Sequence, residues 1–159
     1  MTQLLRLLYL SAAARRLDED DLDEILFCAR RNNAANGITG ILLYMDDAFL
    51  QVLEGDPKMV EATLARIEND GRHEALRMLL RETCTTRRFP DWSMGFQHLE
   101  RWRAGEAEVF ELSHEVLSGH LGGQEDDPLS ALVLNFWRLA DRHVQGVSAA
   151  RVGLPRAMP

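Results

Sequence analysis

Two polar side chains stand inside segments that the sequence otherwise makes apolar. Tyr9 lies in the run LLRLLYLS, residues 4–11, and Gln51 lies in the run AFLQVL, residues 48–53. Both runs are short and bounded by turn residues, which is typical of buried strands. A buried glutamine needs partners for both ends of its amide, and a tyrosine hydroxyl is a natural one. If the two strands are neighbours, Tyr9 and Gln51 form a hydrogen-bonding pair that could hold the polar edge of a ligand.

Polar side chains on two predicted helices converge on the same region. Asn32 lies seven residues after Ile25, and therefore on the same helical face, with Asn33 beside it. On the next helix Arg66 lies beside Ile67, which belongs to the apolar stripe of that helix. These side chains are expected to meet in the gap between the two helices, above the sheet, with Ile25 and Ile67 as apolar walls. A flat heterocycle with hydrogen-bonding edges suits such a slot.

Each of these residues also has an ordinary structural explanation. A tyrosine on a strand face is commonly a core residue with a satisfied hydroxyl, and two asparagines can form the polar end of a helix. Arg66 and Asp70, four residues apart, fit a surface ion pair. Taken one at a time, these explanations are favoured. The convergence of the residues, together with a glutamine in a strand interior, favours a site for a flat ligand.

The elements that would position these residues follow the order β-α-β-β-α-β-β. Helices after the first and third strands, joined by right-handed crossovers, predict an α+β fold: a ferredoxin-like βαββαββ sandwich with both helices on one face of the sheet. The first and third strands are neighbours in this fold, which places Tyr9 beside Gln51. The predicted strands cover residues 4–11, 38–44, 48–53, 76–85 and 92–98, and the helices run from the caps Asp18 and Asp56 to the stops Asn36-Gly37 and Asp70-Gly71.

The second face of the predicted sheet would be apolar, so a soluble protein must cover it. Residues 106–117 and 128–144 have amphipathic helical patterns, and we expect two additional C-terminal helices there. The predicted organisation is a sandwich domain over residues 1–98, a helical extension over 99–146 that packs on the sheet, and a disordered tail over 147–159.

Composition and charge exclude several classes of partner. The chain has 159 residues and a formal net charge of -7, so nucleic acid is not expected as a partner. Cys28 and Cys84 match no metal-ligand spacing and no disulfide framework. The N-terminal segment has no apolar stretch long enough for a signal peptide or a membrane span. We therefore expect a cytoplasmic protein with no metal and no membrane partner.

Six short motifs follow one another over about the first hundred residues. They are Y-L-S at 9–11, A-R-R-N-N at 29–33, G-I-T-G-I-L-L-Y at 37–44, F-L-Q-V-L-E-G at 49–55, I-E-N-D-G-R-H at 67–73 and R-F-P-D-W-S-M-G-F at 88–96. Together these motifs resemble the BLUF family, the blue-light sensors that use FAD. The resemblance implies the short single-domain type of that family, with the photosensor domain over residues 1–98.

The resemblance implies a role for each matching residue. Tyr9 matches the electron donor to the photoexcited flavin, and Gln51 matches the glutamine that links this tyrosine to flavin N5 and C4=O. Asn33 matches the asparagine that binds C4=O and N3. Trp92 and Met94 match the pair that relays the signal, and we expect both on one face of the fifth strand. The other matches, which line or cap the flavin and its ribityl-phosphate end, are Ser11, Ile25, Asn32, Arg66, Ile67, Asp70, Arg72 and His73.

The implied function is that of a blue-light photoreceptor, not an enzyme. It would bind FAD noncovalently, with FMN and riboflavin as the alternative flavins. An electron and a proton leave Tyr9, the Gln51 amide rearranges, and the flavin absorption shifts reversibly to the red. We expect a homo-oligomer that passes this signal to an unidentified downstream protein.

Two functions of other classes stay open as lower-ranked alternatives. An acylphosphatase-like hydrolase has the same fold but needs an anion-binding loop after the first strand, and residues 12–16 lack the glycines of such a loop. A flavin redox enzyme on this fold would need a nicotinamide or substrate site, and no G-x-G-x-x-G motif follows a predicted strand.

Overall fold

The computed structural model describes residues 2–45, 47–98, 119, 121 and 127–139. The predicted helix over 106–117 and the predicted tail over 147–159 lie outside these residues. No helix in the described part of the chain is both long and apolar enough to cross a membrane. The elements are β1 Leu4–Ala13, α1 Glu19–Asn36, β2 Thr39–Met45, β3 Ala48–Gly55, α2 Pro57–Glu68, β4 His73–Cys84 and β5 Gly95–His98, followed by a helix over residues 128–139, named α3.

Local sequence signals set the start of both long helices and the end of the first. Asp18 caps α1 in a capping box with Asp21. Gly37 ends α1 with φ 63°, in the left-handed region that glycine adopts at little cost. Asp56 caps α2, whose first residue is Pro57. The capping predictions are confirmed.

The five strands form one sheet in the order β4-β1-β3-β2-β5. β5 runs parallel to β2, and the other neighbouring strands are antiparallel. β1 and β3 pair in a register that sets Tyr9 directly opposite Gln51. The predicted α+β ferredoxin-like fold, with these two residues side by side, is confirmed.

Helices cover both faces of the sheet. α1 and α2 pack on one face, in a core cluster that includes Ile25, Leu64 and Tyr9. α3 packs on the other face, since its buried side chains share a second core cluster with strand residues such as Leu43. The domain limits at residues 98 and 146 stay predictions. The buried side chains that α3 contributes are Leu129, Val133 and Trp137.

Two element boundaries in the middle of the chain differ from the predictions. α2 ends at Glu68 and not at Asp70-Gly71, because the Asp70 N–H donates to the carbonyl of Ile67, three residues back, and so leaves the α-helical hydrogen-bond pattern. β4 starts at His73, earlier than the predicted residue 76, because its first residues pair with the end of β1.

The last strand starts later than predicted, at Gly95 rather than at Trp92. The carbonyl of Trp92 accepts a hydrogen bond from the N–H of Gly40 in β2 at 2.9 Å, so this segment already contacts β2 before β5 begins. A Cβ on Gly95 would lie 3.0 Å from the Trp92 ring and 3.3 Å from Ile41. Trp92 therefore lies in a closely fitted turn, where the face alternation of a strand does not apply.

A buried ion pair ties one end of the sheet to α3. Glu54 is fully buried, and its carboxylate accepts hydrogen bonds from Arg6 Nε at 2.7 Å and from the backbone N–H groups of Arg88 and Phe89. The Arg88 guanidinium lies 3.2 Å from the carboxylate of Asp127, just before α3. Arg6 also pairs with Glu82 at 2.5 Å, so removal of Arg6 would leave Glu54 buried without a cationic partner, whereas removal of Glu54 would leave Arg6 paired with Glu82.

Candidate functional site

A solvent-open cavity lies between α1, α2 and the sheet, with about 610 Å³ of empty space including the solvent at its opening. Two predicted residues, Tyr9 and Ser11, do not line it themselves; they contact or oppose residues that do. The lining residues that were predicted are Ile25, Asn32, Asn33, Gln51, Arg66, Ile67, Asp70, Arg72 and His73.

Tyr9 and Gln51 form the buried floor next to this cavity. Tyr9 is completely buried, and its hydroxyl has no hydrogen-bond partner among the described residues. The expected Tyr9–Gln51 hydrogen bond is thus absent from the described residues; the Gln51 Nε2 instead donates to the sulfur of Met94 at 3.6 Å. Thioether sulfur is a weak acceptor, so the Gln51 amide is lightly held. Burial, with a smaller effect from the charge of Asp70, raises the pKa of Tyr9 and keeps its proton in place.

Two side chains of α1 hold the turn before β5. Asn33 is buried, and its Nδ2 donates to the carbonyl of Ser93 at 2.7 Å. Arg30 Nε donates to the carbonyl of Met94 at 3.0 Å. A primary amide has two N–H groups and one acceptor oxygen, so Asn33 can bind Ser93 and still offer a donor and an acceptor to a ligand in the cavity.

The rim of the cavity next to α2 carries charge. Arg72 donates to both carboxylate oxygens of Asp70, with Nη2–Oδ2 at 2.7 Å. Hydrogen bonding from Arg72 lowers the pKa of Asp70, so both groups are charged at neutral pH. Arg66 donates to Thr63 Oγ1 at 3.2 Å, and the alternative explanation of an Arg66–Asp70 pair is wrong because Asp70 binds Arg72. Arg66, Arg72 and Asp70 together carry one net positive charge, which favours binding of the anionic end of a ligand.

His73 closes the cavity from β4. Its Nδ1 lies 3.0 Å from Ser11 Oγ, and its ring centroid lies 4.7 Å from that of Phe49. Burial lowers the pKa of His73, and the charge of Arg72 acts in the same direction against that of Asp70. His73 is therefore neutral at physiological pH, with Ser11 fixing the position of its ring.

Trp92 and Met94 lie on opposite sides of the sheet, so the prediction that they share one face is wrong. Met94 belongs to the core cluster under α1 and α2. Trp92 packs against the cluster under α3 and stacks on Phe89 with ring centroids 5.9 Å apart. The reason is the turn before Gly95, which replaces the expected strand at these two residues.

The sequence analysis missed four wall residues of the cavity. Cys28 and Ala29 lie one helical turn after Ile25, and this spacing could have identified them. Leu42 is the cross-strand partner of Gln51. Thr63 became visible only through its contact with Arg66. The lining residues that were not predicted are Cys28, Ala29, Leu42 and Thr63.

Comparison with known proteins identifies the family to which this chain belongs. Residues 4–95 match the BLUF family, described as sensors of blue-light using FAD. The chain belongs to the BLUF family. It is a blue-light sensor that binds a flavin.

Relatives of known sequence or structure agree with the BLUF assignment. The photoactivated adenylate cyclase subunit alpha of Euglena gracilis is 35% identical over 101 residues, which are 62% of this chain and 10% of that protein. The dark-state structure of the BLUF protein BlrB superposes with TM-score 0.62 at 33% identity, covering 89% of this chain and 98% of BlrB. Klebsiella pneumoniae BlrP1, solved with FMN and cyclic diGMP, gives TM-score 0.69 at 28% identity, covering 85% of this chain and 34% of BlrP1.

This BLUF chain spans about a tenth of the length of the curated relatives it matches first. The shared part is therefore the sensor region. The residues present fit a flavin: two asparagines and a lightly held glutamine face a slot with isoleucine walls, and a buried tyrosine hydroxyl beside them lacks a partner among the described residues. A flavin ring is flat and apolar with a polar edge, which matches this donor set.

Proposed function

We propose that Tyr9 and Gln51 carry the light reaction of this BLUF protein. An oxidised flavin, when bound, would supply the blue-light absorber and, once excited, a one-electron oxidant. Tyr9 is the phenol that would give up this electron and take it back. Because burial raises its pKa, the hydroxyl proton stays until the electron has left, and only then moves to the Gln51 amide.

The observation that carries this proposal is the pairing of an unpartnered buried hydroxyl with a lightly held amide. Tyr9 and Gln51 are cross-strand neighbours, and the tyrosine hydroxyl has no partner among the described residues. The Gln51 amide is held by Met94 sulfur at 3.6 Å, a contact that a rotated or tautomeric amide would lose. When electron and proton have returned to Tyr9, Gln51 stays in its new arrangement and donates a changed hydrogen bond, which shifts the absorption to the red.

We propose that FAD, rather than FMN or riboflavin, is the flavin bound in the cell. Asn33 and Asn32 would hold the pyrimidine edge, between the walls Ile25 and Ile67. Arg66, with the Arg72–Asp70 pair, supplies the positive rim that a ribityl-phosphate end requires, and His73 with Ser11 closes the opposite side. The family description, which names FAD, supports this assignment.

The output of the chain is proposed to be a protein contact and not a chemical reaction of its own. The adenylate cyclase and the cyclic diGMP-bound BlrP1 among its relatives suggest that BLUF sensing is coupled to an effector. We propose a cytoplasmic homo-oligomer that acts on a downstream effector protein, without nucleic acid or membrane as partner. The net charge of -7 is consistent with the absence of nucleic acid as a partner.

The test is the photochemistry of matched variants reconstituted with FAD. Tyr9→Phe and Gln51→Leu are expected to retain bound flavin and to lose the reversible red shift under blue light. Tyr44→Phe is the control, because Tyr44 is equally buried in the same core but donates its hydroxyl hydrogen bond to Asp47 at 2.9 Å. A normal red shift in Tyr9→Phe or in Gln51→Leu would refute the assignment.

A further inference from the structure

The turn from Trp92 to Met94 connects the two faces of the sheet. Met94 is buried beside Gln51 on the flavin side, and Trp92 stacks on Phe89 on the side of α3. A rigid displacement of this turn would move both side chains together. The turn therefore carries side chains of both faces on an irregular segment outside the regular strand pairing.

This turn also borders space into which it could move. A second cavity of about 480 Å³, counted to its open mouth, is bounded by Arg30 and by residues 91–95. Arg30 does not line the flavin cavity. Its Nε donates to the Met94 carbonyl at 3.0 Å, and Asn33 donates to the neighbouring Ser93 carbonyl. Two side chains from one face of α1 thus hold a segment that has room on one side.

The two hydrogen bonds differ in what they depend on. Asn33 lines the flavin cavity, so its amide binds Ser93 and would at the same time face the cofactor. Arg30 bonds the backbone of Met94 itself and carries a full charge, which makes its bond stronger than one between neutral groups. The Arg30 bond is therefore a contact of Met94 that involves neither Gln51 nor a residue of the flavin cavity.

We propose that Arg30 is a positioning residue that holds Met94 inward against Gln51 in the dark and so sets how far light moves the turn before β5. The proposal rests on the light reaction assigned above to Tyr9 and Gln51. It predicts two arrangements of the turn, Met94 inward or displaced toward the second cavity, with Arg30 favouring the inward one. Loss of a hydrogen bond from a charged donor is expected to raise the displaced fraction about tenfold.

The experiment uses the full chain labelled with ¹³C at the methionine methyl groups. The chain has six methionines, and Met94→Leu identifies the Met94 resonance. In the wild type we expect one Met94 resonance in the dark and a second one under blue light. In Arg30→Leu the second resonance is expected in the dark already, in the FAD-loaded and in the flavin-free protein. Arg30→Lys, which restores a cationic donor, is expected to return most of the signal to the dark position.

Arg31→Leu is the matched control. Arg31 follows Arg30 on α1, but its guanidinium lies over the exposed Phe27 ring at 5.9 Å. Identical Met94 resonances in wild type, Arg31→Leu and Arg30→Leu would overturn the role of Arg30. That failure is distinct from failure of the light reaction, which would appear as a missing red shift in the wild type. If Arg30→Leu does not fold, an unchanged Met94 resonance in Arg30→Gln, which lacks the charge, overturns the proposal equally.

Discussion

Removal of the Tyr9 hydroxyl should stabilise the flavin-free protein. The hydroxyl is completely buried without a partner among the described residues. A buried polar group in that state costs about 1–3 kcal/mol relative to one that is hydrogen-bonded. Phenylalanine keeps the same ring in the same core, so Tyr9→Phe creates no cavity of consequence. We expect the free energy of unfolding to rise by roughly 1 kcal/mol, at the low end because water reaching the cavity would relieve part of the cost.

The corresponding substitution, Tyr44→Phe, should lower the free energy of unfolding. The Tyr44 hydroxyl donates to Asp47 Oδ1 at 2.9 Å, and its loss should lower the free energy of unfolding by about 1 kcal/mol. The assay is urea unfolding followed by tryptophan fluorescence, first without flavin and then with saturating FAD. If bound flavin positions Gln51 as a partner for Tyr9, as proposed, the gain in Tyr9→Phe should disappear. Destabilisation of the flavin-free protein by Tyr9→Phe, equal to that by Tyr44→Phe, would refute the reasoning.

Three further changes test other parts of the molecule. Glu54→Gln should lower the free energy of unfolding by about 2 kcal/mol because it weakens the hydrogen bonds of a buried charged acceptor while Arg6 keeps its pair with Glu82, whereas Glu61→Gln, in a solvent-accessible pair, should leave it nearly unchanged in the same urea titration. Burial lowers the pKa of His73 below its ordinary value of 6.5, so near that pH the unfolded chain binds more protons than the folded one. The urea midpoint of unfolding should therefore fall as the pH is lowered from above 6.5 toward the pKa of the folded state. His73→Gln should reduce this dependence of the midpoint on pH. Gly95→Ala should displace the Trp92 ring, which a Cβ would meet at 3.0 Å, and so change Trp92 fluorescence while lowering stability by about 1 kcal/mol.

Local chemistry made much of this fold predictable from the sequence. Asp18, Asp56 and Gly37 act on their own helix ends, and those predictions needed no tertiary information. The convergence of Asn32, Asn33 and Gln51 also followed, since strand order and helical spacing together place them on one cavity. The motifs that resemble the BLUF family then predicted a flavin-binding sensor, which the family match confirms; that the flavin occupies this slot stays a prediction.

Features that depend on contacts between distant segments escaped the sequence analysis. Trp92 and Met94 look like alternate residues of a strand, but they lie in a turn bonded to Gly40 that precedes the strand at Gly95, and their side chains lie on opposite faces. Asp70 has two arginines at suitable spacing, and only the geometry of the turn after α2 selects Arg72. No periodicity signals such choices, because each is decided by a neighbour far away or by a turn of irregular shape.

The light-minus-dark absorption spectrum of the FAD-reconstituted chain tests the central claim most directly. If light rearranges the Gln51 amide without forming a covalent bond, the whole flavin band shifts to longer wavelength, keeps its fine structure and returns completely in the dark. Tyr9→Phe, measured in parallel with equal flavin content, is expected to show no shift. Bleaching of the band in place of a shift, or a shift that persists in Tyr9→Phe, would contradict the account.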